Sequence, residues 1–237
     1  MIKRVLIILI ASSVLALLAP VQAGSASLAA AAVILAAVML AIVIQRALRR
    51  HDELNEWVAI ELNKVRRIYH LSRNLGTEAR HRQWFTDLHG FLYAYLTAFD
   101  KKKFSQYQET NAQFRKLSYH LYQIPGLETE KERVLYRELL EAAGLVAGAR
   151  QRIQELWNGG LPSGVWNGMM VLAVAAAVAT LTAMGPSDRY TAAVVLTALG
   201  SGFVLARAAD DMRSMAGEDL SKRYVENIAR LELKREG

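Results

Sequence analysis

Hydrophobic and polar residues are segregated along this chain into apolar stretches and one long polar middle. No Asp, Glu, Lys or Arg occurs within residues 5–20, 28–44, 165–184 or 191–206. A helix needs about 20 apolar residues to cross roughly 30 Å of hydrocarbon. The third stretch has this length, and the others reach it with their flanking residues. The pattern therefore predicts four transmembrane helices.

The polar middle repeats its apolar residues at helical spacing. Leu54, Val58 and Leu62 follow one another at steps of four, and Val65 and Tyr69 continue the same face. No turn residue separates this face from the second apolar stretch. We expect the second span to continue as one helix into the polar region.

Turn and capping residues divide the rest of the polar middle. Gly76 is expected to end the first helix, and Thr77 to cap a second one that reaches Phe99. A third helix is expected over residues 103–124. Thr129 and Glu132 have the capping-box spacing of a fourth helix, which the Gly-Gly-Leu-Pro sequence at 159–162 ends.

No alternating strand pattern appears, so the predicted fold is all-α. We expect an integral membrane protein with four transmembrane helices and a cytoplasmic helical bundle between spans two and three. The predicted domains are a transmembrane hairpin (1–48), a cytoplasmic helical domain (49–160), a second transmembrane hairpin (161–209) and a cytoplasmic amphipathic tail (210–237).

The segment between the first two apolar stretches has two interpretations. Val21-Gln22-Ala23 resembles a signal-peptidase site behind a basic start, in which case residues 1–23 would be removed. The same segment also suits the outer turn of a membrane hairpin. We favour the uncleaved form with four spans, because signal peptides seldom run into a second span a few residues after the cleavage site.

The distribution of basic residues predicts the orientation. Lys3 and Arg4 precede the first span, Arg46 follows the second, and Arg207 follows the fourth. By the positive-inside rule, both termini and the polar middle are cytoplasmic in a multi-pass protein of the plasma (inner) membrane. The formal net charge of +7 suits contact with anionic membrane lipids. No nucleic-acid-binding signature accompanies it, so nucleic acid is not an expected partner.

Residues for catalysis are not evident. The chain has no Cys, which excludes disulfides and thiol chemistry, and its His residues form no metal or nucleophile motif. We expect no enzymatic activity and no organic cofactor. The aromatic residues of the polar middle are expected to pack between helices: Trp57, Tyr69, Trp84, Tyr93, Tyr95, Tyr107, Tyr119 and Tyr122.

Four segments carry a resemblance to a known family. They are ELNKVRRIYHLSRNL (61–75), LLEAAGLVAGARQRI (139–153), GLPSGVW (160–166) and MAGED (215–219). With the order of spans and polar bundle, they resemble the bestrophin-like membrane proteins, a family distantly related to the bestrophin anion channels. Met215 and Ala216 stand where bestrophins have Pro-Phe before Gly-Glu-Asp.

The resemblance implies a pentameric homo-oligomer that conducts ions through a pore lined by span two. Ala30, Ile34 and Val38 would form an apolar neck, since residues four apart share one helix face. Ordinary packing or contact with lipid is the alternative for these residues. A different class of function also stays open, namely a non-conducting adaptor or scaffold whose cytoplasmic bundle docks a protein partner.

Two further groups of residues are candidates. Gly160, Gly164 and Gly168 are spaced four apart and are expected to let a neighbouring helix approach closely. The acidic residues that follow span four resemble the bestrophin calcium clasp in position, which implies a divalent-cation site, or else they pair with nearby Arg and Lys: Asp210, Asp211, Glu218 and Asp219.

Overall fold

The computed structural model describes residues 26–102, 104–183, 189–210 and 217–231. The regular elements in these ranges are helices, which confirms the all-α prediction. The α-helices are α1 (Ala26–Leu75), α2 (Arg82–Lys102), α3 (Asn111–Leu121), α4 (Glu130–Asn158), α5 (Ser163–Ala183), α6 (Arg189–Asp210) and α7 (Gly217–Arg230), and 3₁₀-helices occupy Ala79–His81 and Phe104–Thr110.

The chain divides into two compact units. The apolar unit comprises Met1–Arg50 and Gly160–Ser214, and the polar unit comprises His51–Gly159 and Met215–Gly237. Helix α1 has residues in both units, as expected from the absence of a turn after the second apolar stretch.

Small and aliphatic side chains hold the described helices of the apolar unit together. Ala36 of α1, Ala176 of α5 and Leu199 of α6 form one buried cluster, and Leu40 and Trp166 belong to another. Alanine at such contacts lets helix backbones approach closely, as in membrane bundles.

Two helical segments of the described chain are long and apolar enough to cross a membrane, Ala31–Leu75 and Glu130–Leu181, and Ala193–Arg207 is a shorter apolar helix. The apolar part of the second segment is α5. The first predicted span, residues 5–20, lies outside the described residues, so the count of four spans stays a prediction.

The polar unit has its own core. Leu54, Val58 and Val65 are fully buried on one face of α1, which confirms the predicted apolar face. Helix α2 packs against both α3 and α7. The capping box at the start of α4 is also confirmed, since Thr129 accepts a hydrogen bond from the Glu132 amide and Glu132 accepts one from the Thr129 amide.

Two predictions of helix boundaries were wrong. Thr77 does not cap α2, because its hydroxyl donates to the carbonyl of Asn74 (2.7 Å) and so closes the end of α1. The α-helix begins only at Arg82, after the 3₁₀ turn. The third predicted helix is likewise shorter, since residues 104–110 form a 3₁₀-helix with a kink at Gln106 before α3 begins at Asn111.

Candidate functional site

The membrane part of α1 has one buried face and one exposed face. Ala36 and Val43 are each 3% exposed, whereas Ile34, Val38 and Ile42 are 63%, 49% and 52% exposed. The exposed residues follow one another at steps of four and therefore share one side of the helix. A row of large aliphatic side chains is thus left uncovered by the described part of the chain.

The predicted neck residues lie on this row. Ile34 and Val38 are on it, and Ala30 is one helical turn before Ile34 in α1, although its side chain is not among those the structure describes. Within 26–44, α1 has no charged side chain. The row can therefore act only through apolar contact, width and backbone dipoles.

Helix α5 has a similar uncovered side. Met170, Val174 and Val178 are 55%, 58% and 54% exposed. A Cβ added at Gly164 or Gly168 would meet no atom within 4 Å in the described structure. No helix of the described structure approaches Gly164 or Gly168 closely, so the close approach predicted for the Gly160, Gly164 and Gly168 series stays a prediction.

One aromatic contact ties the start of α5 to the end of α6. The guanidinium carbon of Arg207 lies 4.8 Å from the centre of the Trp166 ring, and Phe203 meets the same ring edge-on at 5.4 Å. A cation over an indole face is stabilised by the ring quadrupole. This contact places a positive charge beside the beginning of α5.

The acidic group after α6 is only partly described. Asp211 and the side chains of Asp210 and Glu218 lie outside the described structure. Asp219 is exposed, and its carboxylate pairs with Arg223 at 3.3 Å. The described residues contain no group of three or more acidic or His side chains placed to hold a metal. Calcium binding at these four residues stays a prediction.

The polar unit contains a buried charge that sequence reasoning missed. The carboxylate of Glu61 on α1 is fully buried. It accepts hydrogen bonds from the hydroxyls of Tyr107 (2.5 Å), Tyr224 (2.6 Å) and Tyr95. A buried carboxylate requires such donors, because burial without them would disfavour its charged form.

Arg150 of α4 supplies the opposite charge. Its guanidinium lies 3.4 Å from Glu61 and donates to the side chains of Thr110 (2.9 Å) and Asn111 (2.7 Å). The same group stacks over three aromatic rings, with its carbon 4.6 Å from the centre of the Tyr107 ring. Arg150 is 3% exposed, so all of these contacts are shielded from water.

Burial raises the pKa of Tyr95, Tyr107 and Tyr224 well above the usual value near 10, and the Glu61 charge raises each pKa further. The tyrosines are therefore held as neutral hydrogen-bond donors. Together with Glu61 and Arg150, they connect α1, α2, the second 3₁₀-helix, α4 and α7 through one network, which we call the Glu61 network.

Helical spacing offered a signal for this network. Glu61 lies three residues after Val58 and four before Val65, and Arg150 lies four after Val146 and three before Ile153. A charged residue at such a spacing falls on the buried face. The predicted packing of the aromatic residues is confirmed for Tyr69, which is buried, and for the fully buried Tyr95 and Tyr107. It is wrong for Tyr119 and Tyr122, which are 69% and 67% exposed.

The fold and these sites define a class of protein: an all-helical membrane protein. Its apolar helices have uncovered aliphatic faces, and buried charges link the helices of its polar unit to one another. Among solved structures, it is similar to two variants of a bacterial bestrophin homologue from Klebsiella pneumoniae. One has 12% identity, a TM-score of 0.73 and coverage of 99% of this chain and 98% of that one. The other has 12% identity, a TM-score of 0.72 and coverage of 98% and 99%.

A crystal structure described as a membrane protein variant is similar as well, with 13% identity, a TM-score of 0.73 and coverage of 99% of this chain and 98% of that one. No match to this chain is found among curated protein sequences. The family model of the bestrophin-like domain matches residues 9–214. The chain belongs to the bestrophin-like family, as its sequence motifs predicted.

Proposed function

We propose that the chain forms a homo-oligomeric ion channel, a pentamer, whose pore is lined by α1. Membership of the bestrophin-like family supports a channel. The resemblance to bestrophins points to α1 as the pore helix, and the aliphatic row on α1 supports this choice: Ile34, Val38 and Ile42 are exposed, while Ala36 on another side of the helix packs against α5 and α6. In the proposed pentamer, the exposed row faces the pore axis.

The chemistry of this row suits a hydrophobic gate. Five copies of Ile34 and Val38 would form two stacked rings of branched aliphatic side chains, with Ala30 completing the neck. Such a constriction controls ion passage by dewetting, because an ion cannot shed its water to an aliphatic wall. The proposed orientation places the polar unit and both termini in the cytoplasm of a plasma (inner) membrane protein, since Arg46, Arg49 and Arg50 follow the neck.

Ion flux through proteoliposomes tests this proposal. Ile34→Ser and Val38→Ser are expected to increase flux, because a hydroxyl favours water in the constriction. Val174→Ser is the matched control, since Val174 is also an exposed valine in an apolar helix (58%). It should leave flux unchanged. Native mass spectrometry in detergent should give five copies per particle.

Two outcomes would contradict the proposal in different ways. If Val174→Ser changes flux and the α1 substitutions do not, a helix other than α1 lines the pore. If flux through the unmodified protein equals that of empty vesicles, the chain is not a channel under these conditions. The non-conducting adaptor would then be the better hypothesis, and its test is capture of a partner by the full-length protein.

A further inference from the structure

A groove of about 460 Å³ lies between α1 and α7 within the polar unit. Helix α1 contributes Asn63 and Arg66 to its wall, and α7 contributes Arg223, Asn227 and Arg230. This volume is within the range of small-molecule sites, roughly 300–1,000 Å³. The groove is separate from the aliphatic row on α1 and from the Glu61 network.

The wall of the groove is positively charged. Three guanidinium groups line it, from Arg66, Arg223 and Arg230, against one carboxylate, Glu226. Glu226 is exposed, and no ion pair joins it to any of these arginines in the described structure. An excess of positive charge in a concave site favours anionic ligands.

A neutral side chain, and not a carboxylate, holds the Arg66 guanidinium in place. Its Nη2 donates to the side-chain oxygen of Asn227 at 3.1 Å. Asn227 is itself buried, and its amide nitrogen donates to the Arg223 carbonyl at 2.8 Å, which fixes the orientation of the amide. A neutral partner therefore positions the Arg66 guanidinium while leaving its full charge for a ligand.

The other two arginines are available to the same ligand. Arg230 is exposed and makes no ion pair within the described residues. Arg223 pairs with Asp219 at 3.3 Å, but the two side chains are 42% and 72% exposed, and such exposed pairs are weak. An anion in the groove can therefore compete with Asp219 for Arg223.

From this arrangement we propose that the groove between α1 and α7 binds a phosphate-bearing anion. Guanidinium groups match phosphate oxygens with paired hydrogen bonds, which a monovalent spherical anion cannot use. The phosphate belongs either to a free solute or to the head group of an anionic lipid. A ligand here would join the C-terminal helix to α1, the helix whose other part lies in the apolar unit. The binding does not depend on the proposed channel activity.

Binding to the purified full-length protein in detergent tests the proposal. Inorganic pyrophosphate is titrated at constant ionic strength, with sodium chloride as the matched salt, and the Kd is measured by calorimetry. In a parallel arm, native mass spectrometry counts the lipids retained from micelles containing phosphatidic acid or phosphatidylcholine. Saturable pyrophosphate binding indicates a free solute, and selective retention of phosphatidic acid alone indicates a lipid head group.

Three variants locate the binding. Arg66→Gln and Arg230→Gln should each weaken it by roughly tenfold or more, because each removes a charged hydrogen-bond donor. Arg67→Gln is the control: Arg67 is the next residue of α1, is 52% exposed and pairs with Glu138 at 3.0 Å outside the groove. It should bind as the unmodified protein does. Binding of neither ligand would overturn the proposal, and so would equal weakening by Arg67→Gln.

Discussion

The Glu61 network makes Arg150 the residue whose loss should destabilise the polar unit most clearly. Arg150→Met keeps most of the side-chain length and removes the guanidinium. Glu61 would then be a buried carboxylate with its tyrosine donors but without its cation, and Thr110 and Asn111 would each lose a donor. Removing one partner of a buried ion pair costs about 3–5 kcal/mol.

Thermal unfolding of the full-length protein in detergent, followed by circular dichroism, measures this effect. In a chain of this size, a loss of 1 kcal/mol in the free energy of unfolding corresponds to about 2–4 °C in Tm. The expected decrease in Tm is therefore roughly 6–20 °C. Arg152→Met is the matched control. Arg152 lies two residues further along α4, is 45% exposed, and pairs with Glu53 at 3.3 Å and Glu155 at 3.2 Å.

The control should lower Tm by no more than about 8 °C, because each of its two exposed ion pairs contributes about 0–1 kcal/mol. Combining Arg150→Met with Glu61→Gln should recover part of the loss, since no uncompensated charge is then buried. Equal decreases in Tm for Arg150→Met and Arg152→Met would contradict this role of Arg150, and so would a double variant that lost the sum of the two single effects.

Three further predictions concern the polar unit. The stabilisation from neutral Tyr224 should be fully present below about pH 10 and decline above it, because unfolded tyrosines ionise there while burial keeps the pKa of Tyr224 higher in the folded state. Tyr224→Phe should make the decline of Tm with rising pH shallower. An unchanged slope would contradict the assignment. The hydrogen bond from Arg80 lowers the pKa of Glu132 from 4.5 to about 2, so the stabilisation present above pH 4.5 should be lost as the pH falls towards 2. In an acid titration, the Tm of Glu132→Gln should depend less on pH in that window. Identical curves for the variant and the unmodified protein would contradict this role of Glu132. Gly76→Ala should lower the free energy of unfolding, measured by chemical denaturation, by about 1–3 kcal/mol, because its Cβ would lie 2.6 Å from the Cβ of Phe85. Gly90→Ala in α2 is the control and should not destabilise, since a Cβ there meets nothing within 4 Å. Equal effects of the two substitutions would contradict a steric origin.

Much of the helical organisation was predictable because its signals are local. The capping box of Thr129 and Glu132, the Gly-Gly-Leu-Pro break after α4 and the uninterrupted α1 all follow from residues within a few positions of one another. Thr77 was assigned to the wrong helix because its hydroxyl can serve either the carbonyls behind it or the amides ahead of it.

The candidate sites were predictable only in part. Ile34 and Val38 were identified by the resemblance to the family, and the structure adds that both side chains are uncovered. Arg66 and Arg230 were not singled out, and Arg223 was considered only as a partner for the acidic residues after span four, because basic residues on polar helices usually lie on a solvated face. Their convergence became visible only once α7 was placed beside α1.

The sequence by itself determined the all-helical class, the apolar segments and the buried face of α1, because helical periodicity assigns a face from residues three and four apart. Only the tertiary structure decided which buried charges meet. Glu61 and Arg150 are 89 positions apart, and Glu61 and Tyr224 are 163 apart. No local pattern relates residues at such separations, since their contact depends on how whole helices pack.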